Sequence, residues 1–144
     1  MAKYSCGATQ VGTKTASRGP TIVVGSKNLH LIEVGIESTT AVSSQVALRR
    51  FTTAGTTGTA LDEIPWEGDG QAPTAAVSQV PSTDHTLTNG SIRVAHLAAA
   101  IGGGVIWTFG PEGLEVPAGS GDGFTLTLPG GSDAIINFYF DWIE

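Results

Sequence analysis

Short β-prone runs, separated by clusters of Gly, Pro, Asn and Asp at intervals of about ten residues, narrow the fold of this chain more than any other feature. The runs are TIVV (21–24), LHLIEVGIE (29–37), SQVALRRFTT (44–53), TAAVSQV (74–80), HTLTNGSIRV (85–94), VIWTF (105–109), LEV (114–116), FTLTL (124–128) and AIINFYFDWI (134–143). Only VAHLAAAI (94–101) is ambiguous, because its alanines suit either an extended strand or a helical turn stopped by Gly102, Gly103 and Gly104. Without long amphipathic helices, alternating βαβ units are excluded and an all-β sandwich or barrel is expected. Eight or nine such strands in a chain of 144 residues fit one jelly-roll-like β-sandwich, and no repeat of fixed period points to a propeller or solenoid.

Alternation within the runs assigns faces. Ile32, Val34 and Ile36 share one side of their strand, with Glu33, Gly35 and Glu37 on the other. Asn89-Gly90 predicts a tight hairpin, since both central positions of a type I′ turn need positive φ. The last run places Ile136, Phe138, Phe140 and Trp142 towards a core. Its second face, with Ile135, Tyr139 and Ile143, also leans apolar, which predicts a strand inside its sheet whose outer face meets another subunit. Trp107 and Trp142 are expected in the core rather than as ligand platforms.

Residues 1–20 read differently. MAKYSCGATQVGTKTASRGP shows no apolar periodicity, which predicts an extended arm ahead of a single domain at 21–144. Charge follows the same boundary: Lys3, Lys14, Arg18 and Lys27 stand alone in residues 1–32, whereas residues 33–144 carry three basic and thirteen acidic side chains. A basic arm on an acidic body predicts that Lys3, Tyr4, Lys14 and Arg18 strap onto an acidic neighbour. Four scattered cations make too sparse a footprint for nucleic acid. The start lacks an apolar leader segment and no run is long enough to span a membrane, so synthesis in the cytoplasm is expected.

The chain offers little for catalysis. His30, His85 and His96 have neither ligand spacing nor adjacent carboxylates, and Cys6, the single cysteine, makes no internal disulfide. GSGDG (119–123) leads into a strand rather than a helix, so it lacks the helix N-terminus of a phosphate cradle, and no Gly-x-Ser-x-Gly elbow occurs. Neither a cofactor nor a metal is expected. The long stretch 54–73 reads as a surface excursion, and within it Asp62, Glu63, Glu67 and Asp69 surround Trp66. Carboxylates so placed suit a calcium ion or a sugar ring stacked on the indole, although the spacing matches no EF-hand loop and a solvated loop, with Trp66 anchoring it or touching a neighbouring subunit, accounts for the same residues.

The run GGGVIWTFGPEGLEVPAGSGDGFTLTLPGG (102–131) resembles the C-terminal half of small β-sandwich proteins of tailed-phage virions, capsid decoration (cement) proteins in particular. The likeness covers about the last 50 residues and rests on strand and turn texture: V-P-A-G, a Gly-rich turn, then an alternating strand. The weak charge and basic start look like that class too. The resemblance implies a non-enzymatic subunit on the capsid exterior that bridges copies of the major capsid protein and forms homo-dimers or homo-trimers. A carbohydrate-binding head-fibre or tail-fibre module using Trp66 is the alternative.

Overall fold

The computed structural model describes residues 1–68 and 70–144, and among these the regular elements are all strands. They are β1 (Lys3–Thr9), β2 (Thr21–Val23), β3 (Leu29–Ser38), β4 (Ser44–Thr53), β5 (Ile64–Pro65), β6 (Ala76–Ser78), β7 (Thr86–Leu87), β8 (Arg93–Leu97), β9 (Gly104–Thr108), β10 (Leu114–Val116), β11 (Gly123–Thr127) and β12 (Ile136–Ile143). Among the described residues no helix is long and apolar enough to cross a membrane. All strand pairs are antiparallel, and they form two sheets packed face to face. Sheet 1 runs β5-β1-β12-β3, with β9 and β10 following one another along the far edge of β3. Sheet 2 runs β6-β2-β11-β4, with β7 and β8 in line along the far edge of β4. The expected all-β sandwich is the observed architecture.

Between the sheets lie Tyr4, Cys6, Leu31, Val34, Ile36, Phe138, Phe140 and Trp142 from sheet 1 and Ile22, Val46, Leu48, Val77, Phe124 and Leu126 from sheet 2. Most come from alternating strands, in which one face is withdrawn from water while its neighbours point out, whereas β11 is buried on both faces. In β3 that alternation breaks once. Leu29 and Leu31 are fully buried, as are Val34 and Ile36, so the parity changes between 31 and 34. The pairing to β12 slips at the same point, with Glu33 opposite Asp141 but Leu31 opposite Trp142. Ile32 is therefore the extra residue of a β-bulge and only half-buried, not the core partner of Val34 and Ile36 that simple alternation predicts.

Two further expectations are corrected. Asn89-Gly90 is not a hairpin turn, because β7 and β8 both pair with β4 and form one interrupted edge strand. Gly90 has φ of 79°, but among the described residues no non-glycine has positive φ, so Asn89 lacks what a type I′ turn demands. The interruption is held from below: Arg49 Nη2 donates to Thr88 O (3.0 Å) and Arg49 Nε to Gly90 O (3.2 Å). The second correction concerns residues 1–20. Lys3–Thr9 is a full strand between β12 and β5, paired residue for residue from Lys3 with Ile143 to Thr9 with Asn137. Its core face is Tyr4, Cys6 and Ala8, a pattern disguised in the sequence because Cys and Ala are weak hydrophobic signals. The arm is thus part of the body, and Pro20 marks no domain boundary.

Residues 54–65 cross from sheet 2 to sheet 1. Leu61 N–H donates to Val77 O and Gln79 N–H to Thr59 O (both 2.9 Å), which covers the edge of β6, and Ile64 and Pro65 then join β1. On the outside of sheet 2, His85 lies flat on Phe51 with centroids 4.4 Å apart. Gly55 N–H donates to His85 Nδ1 (2.8 Å), so the ring proton sits on Nε2, which faces Thr21 Oγ1 at 2.9 Å. Burial lowers the His85 pKa below its ordinary value, against a smaller opposing pull from Asp84.

The folded protein therefore binds the second ring proton, the one that charges the imidazole, less tightly than the unfolded chain does, and acidification favours unfolding. Stability is expected to fall as the pH drops below about 6.5, and to stop falling on this account once the folded-state ring also protonates. Denaturant titrations of the parent and His85→Gln at about pH 7.5 and about pH 5 measure it. The parent should lose more stability than the variant; equal losses would remove His85 as the cause.

Candidate interaction surfaces

The outer face of sheet 1 is where β12 presents its second side. Tyr139 stands at its centre between Gly7 on β1 and Gly35 on β3. Its ring lies so close over Gly35 that a Cβ there would fall 2.0 Å from Tyr139 Cε1, which only glycine accommodates. The phenol donates to Glu33 Oε1 (2.6 Å), and Thr9 Oγ1 donates to Asn137 Oδ1 (2.6 Å). Ser5 Oγ donates to Asp141 Oδ1. Burial, with Glu33 and Asp141 nearby, raises the Tyr139 pKa; burial also raises that of Asp141, helped by Glu33 and opposed by the Ser5 hydrogen bond. This face is thus a hydrogen-bonded row of carboxylates and hydroxyls around one aromatic ring. Beside it, Ile106 on β9 is 62 % exposed and forms one wall of a shallow groove whose other wall is Tyr139.

Residues expected to meet partners divide sharply. Ile135 is 42 % exposed and Tyr139 half-buried, whereas Ile143 is buried within the chain. Tyr4 is a core residue, stacked on Trp142 at 5.7 Å, and offers nothing to a neighbour. Lys14 is also buried, with Nζ 2.6 Å from each of Gln10 Oε1, Asp133 Oδ1 and Ala134 O. Arg18 is partly exposed, but Nη1 donates to Ser82 O (2.6 Å) and lies 3.8 Å from Asp84. The cations read as a strap are therefore largely spent on the body itself: of Lys3, Lys14 and Arg18, Lys3 alone is exposed.

Lys3 and Trp66 form the other accessible cluster. Lys3 Nζ sits 5.1 Å from the centre of the indole, Trp66 is 54 % exposed, and Ile64 beside it on β5 is exposed too. Of the acids around Trp66, Asp62 and Glu67 face solvent and Asp69 lies outside the described residues. Glu63 is not free: its Oε1 accepts from Val77 N–H (2.8 Å). Of the three described acids, Glu63 alone is tied into the fold by its side chain.

The histidines are equally dispersed. His30 Nδ1 contacts Glu112 O (3.0 Å), His96 Nε2 contacts Ser43 Oγ (3.1 Å), and His85 is buried as described. Burial raises the Cys6 thiol to about 11, so it stays protonated and unreactive at neutral pH.

Two carboxylates that sequence patterns do not single out hold the ends together. Asp133 completes the Lys14 site, and Glu144 accepts from Thr74 N–H (2.8 Å), Thr74 Oγ1 (3.1 Å) and Ala75 N–H (2.6 Å). Ala2 and Glu144 also exchange backbone hydrogen bonds of 3.0 Å. Their partners lie far away along the chain, so no local spacing announces them. No protein-family model, curated protein or solved structure matches this chain.

Proposed function

We propose that this chain is a non-enzymatic structural protein of a phage virion, a capsid decoration subunit that sits on the capsid exterior and bridges neighbouring coat subunits. The observation that carries this reading is the strand order. With β5 and β6 set aside and each in-line pair counted once, the sheets run β1-β12-β3-(β9/β10) and β2-β11-β4-(β7/β8). That interleaving supports a jelly-roll reading, two nested Greek keys of the kind used by viral capsid and lectin domains. The resemblance of residues 102–131 to decoration proteins points the same way. Because residues 1–20 belong to the body, bridging falls to the rim formed by Lys3, Ile64 and Trp66 and to the outer face of sheet 1. Many copies on one lattice make weak single contacts sufficient.

Particles assembled without the protein are expected to rupture at a lower temperature, and purified protein added back to restore them. Particles with unchanged heat resistance would overturn the reading. The half-exposed Trp66 favours one other role, a sugar-binding fibre module, although Lys3 already covers part of the ring. A glycan array with Trp66→Ala as control decides between them: glycan binding lost in the variant supports the fibre module.

A further inference from the structure

Every edge of the sandwich except one carries a device that discourages strand pairing. β5 is two residues long and includes Pro65, β6 is covered by residues 59–61, the β7/β8 edge carries Arg93 and His96, and β10 is three residues long. β9 has none of these. From Gly102 to Gly110 the sequence GGGVIWTFG holds no charge and no proline, and Ile106 at its middle is 62 % exposed.

The hydrogen-bond parity shows which backbone groups are free. Ser38 N–H donates to Gly103 O (2.8 Å) and Phe109 N–H to Ile32 O (3.0 Å), while Ile106 lies opposite Gly35 in the β3 register. Positions 103, 105, 107 and 109 therefore face β3, and Gly104, Ile106 and Thr108 turn their N–H and C=O groups off the sheet. All three residues are exposed. The glycines at 102, 103 and 110 present no side chain to an approaching strand, and a hollow of about 440 Å³ opens beside Gly102, Gly104 and Ile106.

We infer that the β9 edge is a self-association site, where β9 of a second copy pairs antiparallel about a two-fold axis through Ile106. In that register Ile106 meets Ile106 of the second copy and Gly104 meets Thr108, so every free donor finds an acceptor. Charge favours this occupant. The strand is uncharged over its whole length, so its copy brings no like charges into contact, whereas the nearest carboxylates, Glu33 and Glu37, lie one strand back. Sheet 1 then continues through both copies and places the two Ile106 side chains side by side on its outer face. An interface of this length is small, so the dimer forms in proportion to protein concentration.

The inference concerns how the chain meets a second copy and goes beyond the capsid reading. A monomer that still binds particles removes this interface alone, and a β9-paired dimer absent from particles removes the capsid reading alone.

Sedimentation equilibrium and amide hydrogen exchange test it. A monomer–dimer equilibrium is expected, with Gly104, Ile106 and Thr108 amides gaining protection as concentration rises. Ile106→Pro removes an N–H that points off the sheet, together with the exposed isoleucine side chain, and should weaken the dimer about tenfold or more. Its melting profile should show that the fold survives. Ile106→Lys and Ile106→Glu should each be monomeric, and mixing them should restore a dimer, because residue 106 faces its own copy. A protein monomeric throughout, a dimer untouched by Ile106→Pro, or a Lys/Glu mixture that stays monomeric would each overturn the proposal.

Discussion

Replacing Lys14 with Met is expected to cost about 3–5 kcal/mol of folding stability, an unusually large loss for a side chain that alternation rules do not place in a core. Its ammonium has three acceptors at 2.6 Å and its side chain is inaccessible to solvent. Each of its donors is therefore used, as burial of a charge requires. Burial alone lowers the Lys14 pKa, and the hydrogen bond and charge of Asp133 act against that fall. Without the ammonium, Asp133 keeps only Lys14 N–H (3.2 Å) and Gln10 Nε2 (3.2 Å), and Gln10 Oε1 and Ala134 O lose their donor. Asp133→Asn should be costly for the mirror-image reason. Adding Asp133→Asn to Lys14→Met should cost less than the two single losses together, because neither charge is then left without its partner. Urea titrations of the four proteins measure this coupling; additive losses would mean that the two groups act independently.

Deleting residues 2–9 should abolish folding. β1 supplies Tyr4 and Cys6 to the core, carries the Tyr4–Trp142 stack and lies between β12 and β5. Its loss leaves the β12 edge unpaired and opens a cavity where a single Tyr→Ala change would already cost about 3–5 kcal/mol by analogy with other large aromatics. An arm outside the body would leave the near-ultraviolet circular dichroism of the truncated chain unchanged. The expected result is its disappearance, with aggregation through the exposed strand; a cooperatively melting truncated protein would contradict the fold described here.

The strands of this sandwich were readable wherever hydrophobic alternation was strong. FTLTL and INFYFDWI lie where period two puts them, and the last strand lies inside its sheet between β1 and β3 as its two apolar-leaning faces require. What failed depended on distant partners. KYSCGAT looks polar, yet it is a strand because Tyr4, Cys6 and Ala8 meet β12 across the sheet. Asn89-Gly90 has hairpin chemistry, but β4 is long enough to pair with the runs on both sides of it. Lys14 carries a surface residue's identity and a core residue's environment because Asp133 arrives from 119 positions away. Of the expected partner-facing residues, Lys3, Trp66 and Ile135 are accessible, Tyr139 and Arg18 partly so, and Tyr4, Lys14 and Ile143 are used internally. The β9 edge escaped notice because a free backbone edge is a property of the sheet and not of any residue type.

Counting this protein in purified particles by quantitative mass spectrometry, with surface proteolysis to locate it, tests the proposed role most directly. The account predicts many copies per particle in fixed proportion to the coat protein, accessible from outside. Particles that contain none of it would contradict the account.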